Sequence, residues 1–131
     1  MESLVTQLQH SLEQKYEGLT LMLSFFPSSE EAPIVRINVI RFPKEKQKQG
    51  LGGQVMSELV TWADTHKTIL TLSPTKDFGA SSVSRLEKFY RRFGFKPNKG
   101  RSKDFRSRDT MIRYPAHTKV AHVVERFLER R

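Results

Sequence analysis

The stretch from Ile34 to His66 constrains the fold more than any other. It opens as an alternating run, with Val35, Ile37 and Val39 on one face and Ile34, Arg36, Asn38 and Ile40 on the other, which predicts a strand from Ile34 to Phe42. A polar segment follows, Pro43 to Gly53, that contains Gly50, Gly52 and Gly53. Apolar residues then recur at helical spacing (Val55, Met56, Leu59, Val60, Trp62, Ala63) to about His66. Strand, glycine loop and helix in this order bring a row of main-chain amides to the start of a helix.

The flanking sequence supplies the rest of an α/β unit. Leu4, Val5, Leu8, Leu12 and Tyr16 lie at helical spacing and predict an amphipathic N-terminal helix ended by Gly18. Leu19 to Phe26 is apolar, is halted by Pro27-Ser28-Ser29, and is expected to pair as a hairpin with the Ile34 strand. Thr68 to Ser73 reads as a short strand closed by Pro74. Ser81-Ser82 then precede a helix with Val83, Leu86, Phe89, Tyr90 and Phe93 on one face, ended by Gly94. Phe95 to Pro97 and Asp109 to Tyr114 are expected strands, and Val120, Val123, Val124, Phe127 and Leu128 mark a C-terminal amphipathic helix. No repeat or linker divides the chain, so residues 1–131 are expected to form a single α/β domain with a mixed central sheet flanked by helices.

At 131 residues such a domain buries roughly two-thirds of the surface of its unfolded chain, enough for a core without staples. There is no cysteine, and His10, His66, His117 and His122 lack metal-ligand spacing, so no metal site is expected. No apolar run is long enough to cross a membrane, and the N-terminus lacks a basic, then apolar, leader; a cytoplasmic protein with no membrane partner is expected. The net charge is +9, from 23 basic and 14 acidic residues. It is densest in Arg91, Arg92, Lys96, Lys99, Arg101, Lys103, Arg106 and Arg108, with Asp104 alone opposing. A polyanion is the natural partner, whether nucleic acid, an acidic protein or a phosphorylated cofactor, and a plainly solvated loop has the same composition.

A helix start carries unpaired N–H groups and about half a positive charge, which suits phosphate. Gly50, Gly52 and Gly53 allow close approach, and Lys44, Lys46 and Lys48 raise the local potential. The segment is not a P-loop, because Gln54-Val55 follow Gly53 where Lys-Ser/Thr is required, and it lacks the dinucleotide spacing and the acidic residue ending the next strand. Gln47-Lys48-Gln49-Gly50-Leu51-Gly52 does resemble the Arg/Gln-x-x-Gly-x-Gly/Ala pyrophosphate loop of the GNAT acetyltransferases. Phe89-Tyr90-Arg91-Arg92-Phe93-Gly94-Phe95 resembles the Phe-Tyr-x-x-x-Gly-Phe helix ending of the same superfamily. Asp77-Phe78-Gly79, Asn98 to Phe105 and Met111 to Pro115 look similar to small members carried by phages and mobile elements.

The resemblance implies a GNAT-like fold, acetyl-CoA as cofactor, and direct acetyl transfer to an amine with no acyl-enzyme. It places the cofactor against Gln47, Lys48, Gln49, Gly50, Leu51, Gly52 and Gly53, gives a main-chain N–H near Phe42 the role of oxyanion donor, and makes Tyr90 the general acid. Packing against Phe89 and Phe93 is the alternative use of Tyr90. Ser82 or Ser84 stands where many members carry an Asn for the pantetheine arm. No base is assigned; Glu45 and Asp77 are the available carboxylates. A protein lysine or N-terminus is the first expected acceptor and a small amine the second. Two other classes remain open: a nucleic-acid binder using loop 96–108, with Phe95 and Phe105 for stacking, and a CoA-binding regulator without catalysis.

Overall fold

The computed structural model describes residues 2–29, 31–75 and 82–116. Its elements are α1 (Glu2–Lys15), β1 (Thr20–Phe26), β2 (Ile34–Arg41), α2 (Leu51–Thr65), β3 (Ile69–Leu72), α3 (Val83–Arg91), β4 (Lys96–Pro97) and β5 (Met111–Arg113). The expected helix at Val120 to Leu128 lies outside the described residues, as do Asp77 and Ser81. The five strands form one sheet in the order β1-β2-β3-β5-β4. β2 and β3 are parallel, joined through α2, and the other pairs are antiparallel, which gives the expected mixed, GNAT-like α/β architecture.

The main core unites α1 (Val5, Leu12), α2 (Val55, Met56, Leu59) and α3 (Leu86, Tyr90) with Leu21, Val35, Ile37, Leu70, Leu72 and Met111 of the sheet. A smaller cluster, Ile34, Ile69 and Ile112 with Ala32 and Tyr114, comes from strand positions of opposite parity.

The alternation expected along β2 breaks part-way. Leu23 pairs with Ile37 but Met22 pairs with Val39, so Asn38 is an extra residue in β2. The phase flips there: Val35 and Ile37 are buried in the main core, and after the bulge Ile40 and Phe42 join them while Val39 does not. The expectation that Val39 shares a face with Val35 and Ile37 is therefore corrected. Asn38 is fixed in place by donating its side-chain amide to the Ser24 hydroxyl at 2.6 Å.

β1 is an edge strand, and α1 covers its exposed backbone. The Leu21 N–H donates to Glu13 Oε2 (3.2 Å) and the Leu23 N–H to Gln9 Oε1 (2.9 Å). Four residues of helix rise about 6 Å and two residues of strand about 6.7 Å, so the two side chains meet the two amides in register. A helix that uses its own side chains this way removes a site for strand addition. At the far side, Arg113 clasps three element ends: Nε donates to the Phe93 carbonyl (2.7 Å), and its two terminal nitrogens donate to the two carboxylate oxygens of Asp64 at 2.9 and 3.0 Å. Gly94 is required beside it, since φ is 94° and a Cβ would lie 3.2 Å from Arg113 Nε.

The basic loop is pinned from inside. Buried Asn98 donates Nδ2 to the carbonyls of Asp104, Ser107 and Asp109 and accepts from the Asp104 N–H at 2.7 Å. The Asp104 carboxylate accepts from Arg106 and from the Tyr114 hydroxyl (2.8 Å). Hydrogen bonds from Arg106, then from Tyr114, hold its pKa down to about 2. A carboxyl depressed on folding stabilises the protein above its unfolded pKa, near 4, and that stability is lost as pH falls through the folded value. The expected contribution is about 2 kcal/mol at neutral pH, lost between about pH 4 and pH 2. Urea unfolding followed against pH checks this: Asp104→Asn should lower stability at pH 7 and flatten the fall across that window.

Candidate functional site

The groove begins where β2 ends. β2 pairs with β3 only at Ile34, Arg36 and the residue between, so its last residues are flanked on one side by β1 alone. Phe42 turns into the core, edge-on to Tyr16, and the chain passes through Pro43 and a 3₁₀ turn (Lys44–Lys46) into the glycine loop. Two glutamines brace that loop: Gln47 Nε2 donates to the Phe42 carbonyl (2.9 Å) and Gln49 Nε2 to the Glu45 carbonyl (3.0 Å). Between them Lys48 adopts a left-handed conformation, φ 66°, and Gly50 repeats it at φ 79° as the N-cap of α2. Glycine at the cap brings no side chain to accept the first-turn amides, so these stay directed out of the helix end.

A groove of about 480 Å³ opens there. Its walls are Ile40 and Arg41 of β2 with Phe42 just after it, the loop residues Gln47, Lys48 and Gly50, Leu51, Gly52 and Gly53 of the first turn of α2, and Arg85, Leu86, Phe89 and Tyr90 from α3. The strand end, the glycine loop and the tyrosine helix thus share one cavity, of a size that suits a cofactor. Of the three lysines expected to raise the potential, Lys48 lines the groove and Lys44 does not. Lys46 lines it too, but its ammonium bonds to the Glu17 carbonyl at 2.8 Å, away toward α1. Arg85 adds a cation that neither sequence motif marks. It stands one turn before Phe89, as Leu86 does before Tyr90, so the helical period counted back from the Phe-Tyr pair is the signal that finds it.

Tyr90 is 2% exposed and packs edge-on to Phe89 (5.2 Å) and Phe95 (5.8 Å) while still contributing to the groove wall. Burial pushes its phenol well above the ordinary tyrosine value. Phe95 is buried against it, which corrects the expectation that Phe95 is available for stacking on nucleic acid. Ser82 is the N-cap of α3, its hydroxyl accepting from the Arg85 N–H at 3.1 Å, and Ser84 is exposed; neither lines the groove.

Across β2 lies a second, polar cavity of about 250 Å³, with Arg36, Asn38, Ser73, Thr75 and Asp109 in its walls and Arg41 common to both cavities. Buried Asp109 accepts from the Ser73 hydroxyl (2.8 Å) and pairs with Arg36 (3.2 Å). Sequence patterning does not single out Asp109, because nothing local marks a carboxylate that folds under a loop. Glu45, by contrast, lies in the 3₁₀ turn and lines neither cavity.

No protein-family model matches the chain, and no curated protein matches it. A solved structure, that of a mutant AtaT toxin bound to the C-terminus of the antitoxin AtaR and acetyl-CoA, is similar over 79% of this chain with a TM-score of 0.46 and 13% sequence identity. The match spans 61% of that toxin chain.

The glycines separate by role. A Cβ at Gly50 would meet nothing within 4 Å, yet φ 79° strains any other residue. At Gly52 and Gly53 φ is helical and a Cβ would make only ordinary contacts, 3.9 Å to Phe89 and 3.8 Å to Phe93. Gly50→Ala should therefore destabilise by about 1 kcal/mol, whereas Gly53→Ala should stabilise by a few tenths to about 1 kcal/mol, both read by urea denaturation of the free protein.

Proposed function

We propose that this protein is an acetyl-CoA-dependent N-acetyltransferase that acetylates a primary amine, with a protein lysine or N-terminus as acceptor. The observation that carries this reading is Gly52 and Gly53 in the first turn of α2, where the fold has room for side chains and helix propensity favours them. Their absence leaves the helix end bare beside Lys48, and a diphosphate is a group that makes use of bare amides. The donor set and the groove volume fit the cofactor.

Bound acetyl-CoA supplies an acetyl group activated as a thioester. The amides of residues 50–53 and the Lys48 ammonium would hold its diphosphate, and Phe89 and Leu86 would give the rest an apolar wall. Past Arg36, main-chain groups on one side of β2 are not taken up by β3, which leaves an N–H near Phe42 to stabilise charge on the carbonyl oxygen. Positioning then supplies much of the rate, and no nucleophile on the enzyme is needed.

Tyr90 would be the proton donor to the departing CoA thiolate, and the proton released by the amine would pass to solvent, from which the phenol is reprotonated. Its raised pKa keeps the phenol protonated throughout the neutral range, so the acid form is always present. Ser82 serves the helix as its cap and Ser84 faces solvent, so the pantetheine arm depends on the groove wall. The acceptor amine approaches through the polar cavity across β2, where Asp109 and Ser73 offer oxygen atoms to an amine.

Acetyl-CoA at 100 times its Kd should stabilise the protein by about 2.7 kcal/mol in thermal unfolding. Gly53→Ala should bind it more weakly although the free protein is more stable. Tyr90→Phe should lower kcat by about 10²- to 10⁴-fold with acetyl-CoA affinity nearly unchanged, and the wild-type rate should show no downturn from Tyr90 below about pH 10. Mass spectrometry of lysate proteins incubated with isotopically labelled acetyl-CoA identifies the acceptor. An absent thermal shift rejects the reading, and a shift without CoA release from any amine leaves a CoA-binding regulator in its place.

A further inference from the structure

The groove leaves most of the positive charge unused. Loop 98–109 carries five of the 23 basic residues, and the way the loop is built decides which of its charges face a partner. Arg106 is taken up by two carboxylates: it lies 3.0 Å from Asp104 and 2.6 Å from Glu31, and it also donates to the Ala32 carbonyl at 3.2 Å. Asn98 draws the backbone at 104, 107 and 109 onto one buried amide, so the loop closes on itself as a compact unit. Lys99, Arg101 and Arg108 are exposed and Lys103 is half-buried, and none of the four has an ion pair among the described residues. Phe105 stands among them 84% exposed, with the Lys103 ammonium 5.5 Å from its ring centroid.

A large aromatic that the fold does not bury, on a braced loop that also carries these cations and with the Lys103 ammonium against its ring, has the composition of a stacking platform. Phosphates supply the counter-charges and an unpaired base supplies the flat π face. A duplex hides its base faces in its own stack, and an acidic peptide offers carboxylates without a planar partner for the ring. We propose that loop 98–109 binds a single-stranded polynucleotide, with a base stacked on Phe105 and neighbouring phosphates held by Lys99, Arg101, Lys103 and Arg108. This surface lies apart from the glycine-loop groove and does not rest on the acetyl-transfer reading.

Fluorescence anisotropy of the full chain with short labelled single-stranded RNA and DNA, the matching duplex, and polyglutamate as competitor tests it. Single strands should bind more tightly than the duplex and resist polyglutamate. Phe105→Ala should weaken binding on the order of tenfold with an unchanged Tm, since the ring is outside the core, and Phe105→Tyr should restore it. The double variant Arg101→Gln/Lys103→Gln should make the slope of log K against log salt shallower by about 1.4, about 0.7 for each phosphate that is no longer neutralised. The proposal is overturned by no binding at low salt, by binding indifferent to Phe105→Ala and to the charge variant, or by duplex and polyglutamate matching the single strands.

Discussion

β2 is flanked by two strands for a short stretch only, and the arrangement of the candidate site follows from that. Up to Arg36 it lies between β1 and β3; beyond Arg36 it keeps β1 alone and carries an extra residue at Asn38. The bulge rotates the strand so that Ile40 and Phe42 enter the core, which anchors a strand end that would otherwise have one partner. It also leaves main-chain groups on the β3 side beside two cavities, one walled by the glycine loop and α3, the other by Arg36, Ser73 and Asp109. A continuous ladder to Arg41 would close the gap that both cavities use.

A gap inside a sheet needs rigid surroundings, and these come from side chains bonded to backbone. Gln9 and Glu13 hold the outer edge of β1, which fixes the partner that β2 retains. Gln47 and Gln49 brace a loop whose Lys48 sits in a left-handed conformation that costs on the order of 1 kcal/mol for a residue with a Cβ. That strain persists because both ends of the turn are tied down. Arg113 joins the ends of α2, α3 and β5, so the helix that brings Tyr90 and Arg85 to the groove is held at its C-terminal end. The loop and the helix therefore form a preorganised pair of walls.

Element types and order can be read along the chain wherever periodicity is strong: the helical spacing from Val55 to Ala63, the hairpin about Pro27-Ser28-Ser29, and the glycine stops after Tyr16 and Phe93. The bulge cannot. Ile34, Val35, Ile37, Val39 and Ile40 are all apolar, so either phase of alternation fits, and the deciding factor is cross-strand pairing with Met22 and Leu23. Phe95 and Phe105 are both aromatic residues in a basic stretch, yet one packs on Tyr90 and the other is exposed, because the strand pairing of Lys96 and Pro97 turns Phe95 inward. Asn98 shows the same limit, since a polar residue in a polar stretch gives no local hint that its amide organises the backbone up to residue 109. Ser82 is legible as a cap from its position before Val83, and that local role takes up the hydroxyl oxygen in a bond to Arg85.

The +9 charge, uninformative as a sum, acquires meaning once pairing divides it. Arg113, Arg106, Lys46 and Arg36 are engaged by Asp64, Asp104, Glu17 and Asp109, so these cations act within the fold. Among the cations that remain, Lys48 and Arg85 line a groove with bare amides, and Lys99, Arg101, Lys103 and Arg108 share loop 98–109 with Phe105. The first is concave and backed by a helix dipole, which favours a compact anion held deep. The second presents an exposed ring among cations spaced along a loop, which favours a long chain with flat groups to stack. The two positive surfaces thus differ in form, and Asp109, which lines the polar cavity and whose carbonyl accepts from Asn98, links the loop to that cavity and not to the groove.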